Sequence, residues 1–268
     1  MSTKNSNNSK QSKDYIQSLD RGLQVIQAFS EKNPTLTISQ ASEITGLNRP
    51  TVRRILLTLE MLGFAESKNK VFSLTARTLT LGYAYLSTQD IWSNAQPFMK
   101  DFVAQTGESC SITVLDDTDI IYVARVPAKR IMSINLNVGS RLPASSTSMG
   151  HVLLANLPKE KLENLIDKMD LKKHTENSIT DKEELLSILS VVKEKDWAGI
   201  DQQFEEGVRS IAVPIRDAVG KVIAAINCSV HAGRISKEVL EKEFLPILFE
   251  TSSKISKTVP VTYQSTQF

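Results

Sequence analysis

The chain has 268 residues, 41% of them hydrophobic, which is enough for two domains that each have a core. Its net charge of +2 points to no partner until it is divided along the chain. Residues 1–87 carry eleven Lys and Arg against six Asp and Glu, whereas the remainder carries twenty-one against twenty-four. The positive charge is therefore concentrated at the N-terminal end, where a polyanion is expected to bind.

The sequence has features of neither a membrane protein nor a secreted one. No apolar run approaches the length of a membrane span, and residues 1–14 lack the hydrophobic segment of a secretory signal. We expect a cytoplasmic protein with no membrane partner. Cys110 and Cys228 lack CxxC spacing and fall in strand-like apolar stretches, which favours buried thiols over a disulfide or a metal site.

Three helices are predicted after a disordered arm at residues 1–15, which are rich in Ser, Asn and Lys. The first helix ends before Asn33-Pro34. It is predicted from apolar residues at helical spacing: Leu19, Leu23, Ile26 and Phe29. The second, short helix has Thr37 or Ser39 as its N-cap, Gly46 as its stop, and an inner face of Ile38, Ala41 and Ile44. The third begins at the N-cap Asn48, and its buried stripe is Val52, Ile55, Leu56, Leu59 and Leu62.

The exposed N-terminal end and outer side of the third helix carry residues that suit DNA: Asn48, Arg49, Pro50, Thr51, Arg53 and Arg54. Arg can pair with guanine, while Thr, Asn and a helix N-terminus can hold phosphate. Ser39 and Gln40 of the second helix are added to this surface. A hairpin at residues 64–74 follows, and its tip carries Lys68 and Lys70.

A solvated basic face on an ordinary helix is the simpler interpretation of these arginines. The short helix with its glycine turn on one side and the basic hairpin on the other make a DNA-binding winged helix-turn-helix the better one. We assign this domain to residues 16–75 and an apolar linker helix to residues 76–90. The linker helix is expected to pack against a second subunit.

Residues 91–260 alternate between helical and β-branched segments, which predicts an α+β domain with helices on the faces of a sheet. Helices are expected around Gln96–Thr106, in HVLLANL, after a capping box of Thr180 and Glu183, and from Ser236 to about Lys257. Strands are expected in CSITVLDD, IIYVARV, IMSINLNVG, SIAVPIRD and KVIAAINCSV. Residues 261–268 form a C-terminal tail.

The motifs resemble one protein family. The segment SLDRGLQVIQAFSEKNPTLTISQASEITGLNRPTVRRILLTLEMLGF is similar to the winged helix-turn-helix of the IclR family of bacterial transcription regulators, and TARTLTLGYAYLS is similar to its linker helix. The resemblance continues through IMSINLNVGSRLPASSTSMGHVLLA and EEGVRSIAVPIRDAVGKVIAAINCSVHAGR, and covers nearly all of residues 16–260. It is strongest to the branch that senses protocatechuate or 4-hydroxybenzoate and controls aromatic-acid catabolism.

The resemblance implies a GAF-like effector domain, a dimer or a dimer of dimers, operator DNA as partner, and a small organic acid as inducer. The resemblance is compatible with an activator and with a repressor. It is also compatible with contact between the protein and RNA polymerase. Carried over by motif, it assigns effector contacts to Ser145, Ser146, Thr147, Glu205, Ser210, Asn227 and Ser229. From the residues themselves, a carboxylate also needs a cation, and the candidates beside the Ser/Thr segment are Arg125, Arg130 and Arg141, with Arg130 as first choice.

Other functions are less well supported by the sequence. The SxxK pattern of Ser190 and Lys193 has no companion motif, and His151, His174 and His231 lack the spacing of a zinc site. We therefore expect no catalytic residue, no metal and no cofactor. Three alternatives remain: a regulator that senses a non-aromatic acid, an enzyme acting on a small aromatic acid with an accessory DNA-binding module, and an architectural DNA-binding protein. The last would not need an acidic second half of some 170 residues.

Overall fold

A computed structural model describes residues 13–88, 90–128 and 136–261. The chain divides into two compact units between Tyr85 and Leu86, inside the segment predicted as the linker. Most of the predicted arm at residues 1–15 and nearly all of the predicted tail at residues 261–268 lie outside the described residues.

The first unit is a winged helix-turn-helix, as the sequence predicts. Its elements are α1 (Gln17–Gln27), β1 (Thr35–Thr37), α2 (Ile38–Thr45), α3 (Arg49–Met61), β2 (Ala65–Lys68) and β3 (Val71–Leu74). The strands form an antiparallel sheet in the order β1-β3-β2. The wing hairpin of β2 and β3 was predicted, but β1 was not, because three residues are too short for a recognisable alternation of apolar and polar side chains.

The core of this unit is smaller than the predicted apolar faces. Val52, Leu56 and Leu59 of α3 are buried as expected, together with Ala41 of α2. Four residues predicted to be inside are about half exposed: Leu19, Leu23, Ile44 and Leu62. On α1 the buried residue is Val25, which lies beside the predicted stripe. Ala28, the C-cap of α1, is also part of the core. The prediction failed there because it followed the largest side chains.

The segment between the two units is apolar and exposed. A 3₁₀ turn (Ala76–Thr78) leads into α4 (Leu79–Leu86), none of whose residues is buried. The exposed fractions of Leu79, Leu81 and Tyr83 are 75%, 50% and 69%. Such exposure is unusual for a whole apolar helix.

The second unit is an α+β domain built on six antiparallel strands. The strands are β4 (Ser109–Asp116), β5 (Asp119–Val126), β6 (Arg141–Pro143), β7 (Ala198–Asp201), β8 (Val208–Arg216) and β9 (Val222–His231). Their order in the sheet is β6-β5-β4-β9-β8-β7. This is the mixed fold class that the sequence predicts.

Helices cover both faces of this sheet. In chain order they are α5 (Asp90–Thr106), α6 (Ser148–Ala155), α7 (Lys159–Ile166), α8 (Lys182–Lys195), α9 (Lys237–Val239) and α10 (Leu245–Ser256). A π-helical segment (Leu240–Phe244) joins α9 to α10, just before Pro246, which has no N–H to continue a regular helix. One apolar core lies against α5 and α10, and the other against α6, α7 and α8.

Several predicted boundaries in this unit are wrong. The helix expected around Gln96–Thr106 begins at Asp90, because Ile91, Trp92 and Ala95 extend its buried stripe past Pro97. The helix expected in HVLLANL begins at Ser148, and all eight residues of α6 are buried. The N-cap of α8 is Asp181, whose side chain accepts from the Glu184 amide, so the capping box on Thr180 is absent.

Most of the strand expected in IMSINLNVG lies outside the described residues. Residues 131–135 are not described, and residues 136–139 form no strand. On the side of β5 away from β4, the paired strand is β6, which begins two residues after the expected segment. Gly139 has a φ of 91°, in the left-handed region, so the chain turns at the end of that segment.

Both cysteines are free and fully buried, as predicted. They are nevertheless close to each other, since Cys110 of β4 and Cys228 of β9 are Cα partners in the sheet. Burial raises the pKa of the Cys228 thiol well above its usual value. In the part of the chain that the structure describes, no helix combines the length and the apolar character needed to cross a membrane.

Candidate functional site

The first candidate site is the N-terminal end of α3. Gly46 ends α2 with a φ of 68°, and Asn48 then caps α3 by accepting from the Thr51 amide at 2.9 Å. Pro50 occupies the first turn, where its missing N–H costs nothing. The N-cap of α2 is Thr37 rather than Ser39, because the Thr37 and Gln40 side chains each bond the other's backbone N–H in a capping box. The two helices therefore have fixed starts.

The residues predicted to contact DNA lie on the surface of this unit. Thr51 is partly buried, and the others are exposed: Ser39, Gln40, Asn48, Arg49, Pro50, Arg53, Arg54, Lys68 and Lys70. In the described part of the chain, no carboxylate forms an ion pair with Arg49, Arg53 or Arg54. These cations are free to meet an external anion.

The wing carries its charges on a tight turn. Asn69 and Lys70 both have positive φ, 54° and 65°, the conformation of a two-residue type I′ hairpin turn. Lys68 and Lys70 are thereby held at the tip of the hairpin. Exposed lysines without an aromatic or carboxylate partner interact with DNA through phosphate charge and carry no base information.

The second candidate site is a cavity of about 50 Å³ in the α+β unit. It lies between β5, β8 and β9 of the sheet, the start of α6, and the connection from β7 to β8. Its lining is Tyr122, Arg125, Leu136, Leu142, Thr147, Ser148, Met149, Ile200, Phe204, Glu205, Val208, Ser210, Asn227 and Ser229. A slot with mostly apolar walls and a few polar groups has the character of a small-molecule site.

Six of the ten residues predicted to contact an effector line this cavity: Arg125, Thr147, Glu205, Ser210, Asn227 and Ser229. Ser145 and Ser146 do not line it, although they are buried in the 3₁₀ turn (Ala144–Ser146) before α6. Arg141 is at the surface, where it forms ion pairs with Asp116 and Asp119. Arg130, the first choice for the carboxylate, lies outside the described residues.

The apolar part of the lining was missed by sequence reasoning. It comprises Tyr122, Leu136, Leu142, Met149, Ile200, Phe204 and Val208, and the polar Ser148 was missed as well. Tyr122 could have been found, because it is the single aromatic residue in a predicted strand that also holds Arg125. The others come from separate segments whose proximity depends on the tertiary fold.

Arg125 is the cation among the described residues that line the cavity. Its guanidinium is half buried, and its Nη1 donates to Ser111 Oγ at 3.0 Å. Burial lowers its pKa, and among the described residues no carboxylate forms an ion pair with it. The neighbouring Tyr122 phenol has its pKa raised to about 12 by burial, so it stays neutral. A half-buried guanidinium without a counter-ion strongly favours an anionic ligand.

The remaining polar groups bond mainly to one another. Ser148 Oγ and Ser210 Oγ are 2.6 Å apart, and Asn227 Nδ2 donates to Ser229 Oγ at 2.9 Å. Thr147 caps α6 by accepting from the Gly150 amide at 3.1 Å. These bonds hold the side chains in place around the cavity.

One wall of the cavity is tied to a loop outside it. Phe204 and Glu205 belong to the β7–β8 connection, whose backbone carbonyls at Gln202 and Gln203 accept from Thr175 Oγ1 and Ser178 Oγ at 2.6 and 2.7 Å. His174 packs against the Phe204 ring, with centroids 4.8 Å apart. These contacts anchor the β7–β8 connection, and with it Phe204 and Glu205, to residues 174–178.

The sequence patterns weighed as catalytic or metal sites are not brought together. Ser190 and Lys193 are exposed on α8, away from the cavity lining. His151 is buried in α6, while His174 and His231 are exposed. Within residues 13–88, 90–128 and 136–261, no group of three or more His, Cys, Asp or Glu side chains could hold a metal ion.

Comparison with family models covers both units. Residues 18–68 match the IclR helix-turn-helix domain, and residues 83–257 match the model described as bacterial transcriptional regulator IclR C-terminal. The chain belongs to the IclR family of bacterial transcriptional regulators. As in other IclR regulators, its helix-turn-helix is a DNA-binding domain and its C-terminal domain takes a small-molecule effector.

Individual IclR relatives are similar over most of the chain. The "Pca regulon regulatory protein" of Pseudomonas putida is 44% identical over 89% of this chain and 82% of its own length. The "p-hydroxybenzoate hydroxylase transcriptional activator" of Acinetobacter baylyi is 36% identical over 92% of this chain and 93% of its own.

A solved effector domain is also similar. It is a double mutant of the inducer-binding domain of the PobR transcription factor from Acinetobacter, in complex with 3-hydroxybenzoic acid. It is 36% identical, with a TM-score of 0.59, and the match covers 62% of this chain and 97% of that domain.

Proposed function

We propose that the chain is a ligand-responsive regulator of genes for aromatic-acid catabolism, with protocatechuate or a related hydroxybenzoate as inducer, and that it is not an enzyme. The observation that carries this proposal is the cavity with its half-buried Arg125, which forms no ion pair with a carboxylate among the described residues. The names of the relatives agree with it, since one activates a gene for a p-hydroxybenzoate enzyme and another binds 3-hydroxybenzoic acid.

Arg125 is the residue we assign to the effector carboxylate. Its guanidinium offers donors only, and one of them already bonds Ser111. A carboxylate beside it would gain charge-assisted hydrogen bonds and supply the missing negative charge. Arg141 is less suited, because Asp116 and Asp119 already neutralise it at the surface. Thr147, Glu205, Ser210, Asn227 and Ser229 complete the proposed polar contacts, and Ser145 and Ser146 are proposed only as support for the start of α6.

A second candidate is a regulator that senses a smaller, non-aromatic acid. The size of the cavity favours it, since about 50 Å³ is far below the volumes of several hundred Å³ that are usual for organic ligands. An aromatic acid therefore requires the lining to open. We expect the β7–β8 connection with Phe204 and Glu205 to be the wall that moves, because it is a loop, whereas the other walls are mainly strands and a helix.

DNA binding is assigned to the exposed end of α3 and to the wing. Arg49, Arg53 and Arg54 can reach base edges or phosphates, and Lys68 and Lys70 can reach flanking phosphates. Ser39, Gln40, Asn48, Pro50 and Thr51 complete the proposed surface. The chromosome is the target, so the protein works in the cytoplasm.

We further propose that the protein is a dimer or a dimer of dimers through α4. Leu79, Leu81 and Tyr83 expose more apolar surface than a monomer normally leaves uncovered. Two winged domains would then bind half-sites about one helical turn apart. Effector binding changes operator affinity, or contact with RNA polymerase, only if it favours one arrangement of the subunits over another.

A combined binding experiment tests the proposal. The purified protein is titrated with protocatechuate, 4-hydroxybenzoate, benzoate, and aliphatic acids such as glyoxylate and pyruvate, while its melting temperature is followed. Gel shifts with its own upstream DNA and with scrambled duplex are run with and without each acid. We expect selective stabilisation by a hydroxybenzoate and a preference for the upstream DNA. Stabilisation by the aliphatic acids alone favours the second candidate, and equal binding to both duplexes contradicts a regulatory role.

A further inference from the structure

The cavity contains a row of polar residues across three adjacent strands. Ser111 of β4 is the Cα partner of Arg125 on β5 and of Asn227 on β9. Partners in antiparallel strands project their side chains from the same face of the sheet. Adjacent strands are about 4.8 Å apart, so the Cα atoms of Arg125 and Asn227 are separated by roughly 10 Å. The cation and the amide thus lie on opposite sides of Ser111, and both line the cavity.

The side-chain carbonyl oxygen of Asn227 has no hydrogen-bond partner among the described residues. The side chain is buried, and its Nδ2 donates to Ser229 Oγ at 2.9 Å. In the described part of the chain, no donor reaches its Oδ1 atom. A buried carbonyl oxygen in that state is costly, and native proteins seldom keep one unless a ligand or water pairs with it.

None of the other polar groups nearby donates to Oδ1 in the described part of the chain. The hydroxyls of Ser148 and Ser210 are 2.6 Å apart and bond each other, and Ser229 Oγ accepts from Asn227 Nδ2. Arg125 has donors to spare, but it already bonds Ser111 on the neighbouring strand. Among the described residues, two groups that line the cavity therefore lack a partner: the Arg125 guanidinium has no anion, and Asn227 Oδ1 has no hydrogen-bond donor.

We propose that Asn227 determines specificity by accepting a hydrogen bond from a hydroxyl group on the effector, while Arg125 holds the carboxylate. This proposal rests on the cavity being the effector site. The two ends of the ligand cannot be exchanged, because a carboxylate has no donor for Asn227 Oδ1 and the guanidinium has no acceptor for a hydroxyl proton. The preferred effector is accordingly a hydroxylated acid in one fixed orientation.

Rejection of ligands that lack the hydroxyl follows from the same bond. A hydrogen or methyl group at that position leaves Oδ1 buried against apolar surface, with no solvent to replace the lost partner. Sites that bond a ligand hydroxyl discriminate strongly against the analogue without it, whereas apolar pockets discriminate weakly between similar shapes. The preference should thus exceed what size or hydrophobicity explains.

Calorimetric titration of matched ligands tests the proposal. 4-Hydroxybenzoate is compared with 4-methylbenzoate, which is similar in size and charge but has no donor, and the same pair is measured with substituents at ring position 3. At one of the two positions we expect the methyl compound to bind at least about tenfold more weakly. 4-Aminobenzoate keeps a hydrogen-bond donor. If Asn227 contacts the substituent at position 4, its affinity should lie between those of 4-hydroxybenzoate and 4-methylbenzoate.

The outcomes separate this inference from the proposed function. Hydroxyl and methyl compounds that bind within about threefold of each other at both positions overturn the role of Asn227, while leaving an aromatic acid as effector. A protein that binds none of these acids overturns both. Binding confined to hydroxylated acids supports both.

Substitution of Asn227 tests whether this residue causes the preference for the hydroxyl compound over the methyl compound. Asn227→Leu removes the acceptor at similar volume, so the ratio of hydroxyl to methyl affinity should fall to about one. Asn164→Leu, the same change at an exposed position of α7, should leave the ratio unchanged. Asn227→Ala is measured as well, because a leucine in the sheet can disturb folding. The ratio is taken within each variant, so a general loss of affinity does not affect it. A ratio that stays at the wild-type value in either variant contradicts the proposal.

Discussion

The Nη1 atom of Arg125 donates to Ser111 Oγ at 3.0 Å, across two neighbouring strands of the α+β sheet. This bond directs the guanidinium along the sheet face that lines the cavity. The hydroxyl satisfies one donor but does not neutralise the charge. Arg125 is therefore held in position and remains available to an anion.

Arg125→Met should abolish the effector response while leaving operator binding intact. The variant keeps much of the side-chain volume and loses the charge-assisted hydrogen bonds, which are worth about 1.5–3 kcal/mol. Affinity for 4-hydroxybenzoate, measured by calorimetry, should fall about 10- to 150-fold.

The matched control for Arg125→Met is Arg141→Met, which removes a guanidinium from the surface pair with Asp116 and Asp119. It should keep the wild-type affinity for the acid. Equal losses in the two variants would mean that Arg125 acts through the overall charge of the domain and not by contact.

Arg54→Ala and Lys68→Ala should weaken DNA binding in different ways. Arg54 is exposed on the side of α3 away from the core, so its loss should cost about 1–3 kcal/mol on the operator if it reads a base edge. Lys68 sits at the wing, so its loss should weaken all duplexes alike and reduce the salt slope by about one unit. Gel-shift titrations at several salt concentrations measure both effects. Equal losses on operator and random DNA for Arg54→Ala would remove it from the base-reading residues.

Leu81→Glu should dissociate the oligomer. The Leu81 side chain is half exposed on α4, and a carboxylate there would have to lose its hydration if a second subunit covers the helix. Light scattering coupled to gel filtration should report a smaller particle at micromolar concentration. Leu186→Glu makes the same change at an exposed leucine of α8 and should leave the mass unchanged. An unchanged mass for Leu81→Glu would exclude α4 from the interface.

Local signals in the sequence were sufficient for the turns, caps and wing of the DNA-binding unit. The cap at Asn48, the stop at Gly46 and the hairpin with Lys68 and Lys70 each depend on neighbours within a few residues. The exposed leucines of α1 were predicted wrongly because helical periodicity does not say which of two adjacent stripes faces the core. Leu19 and Leu23 outweigh Val25 in size, yet Val25 is the residue that packs.

The cavity depends on long-range contacts, and the sequence predicted only part of it. Arg125, Asn227 and Ser210 could be nominated because they are polar residues in apolar strands or in family motifs. Phe204 and Met149 carry no such signal, since an apolar residue in a loop or helix has many possible neighbours. The three candidate arginines differ only in their surroundings, and the ion pairs of Arg141 with Asp116 and Asp119 cross 25 and 22 residues of chain.

Gly150→Ala should destabilise the α+β unit. A Cβ at Gly150 would come closer than 3.0 Å to the backbone of Ala144, where α6 packs on the preceding 3₁₀ turn. Backbone atoms cannot move aside as a flexible side chain can, so we expect a loss of about 1–3 kcal/mol. Urea denaturation measures it. Gly22→Ala, in α1 with nothing within 4 Å, should instead be neutral or stabilising by up to about 1 kcal/mol. A neutral Gly150→Ala would contradict the close packing.

His151 should make the stability of this unit depend on pH in the weakly acidic range. The ring is fully buried in α6, and its Nε2 lies 2.7 Å from the Ser145 carbonyl oxygen, to which it must donate. Burial lowers the pKa of His151, so the native state prefers the neutral ring while the unfolded chain titrates near pH 6.5. The stabilisation is fully present above that pH and is lost as the pH falls below it.

The expected loss is up to about 1.4 kcal/mol between pH 7.5 and pH 5.5, because the unfolded state takes up a proton that the native state refuses. Urea unfolding at the two pH values measures it in the wild type and in His151→Gln, which cannot titrate there. Carboxylates contribute equally to both proteins and cancel in the comparison. Between pH 7.5 and pH 5.5 the free energy of unfolding should fall more in the wild type than in the variant, whatever the effect of the substitution on stability at pH 7.5. Equal losses would mean that His151 accepts a proton in the folded protein as readily as in the unfolded chain.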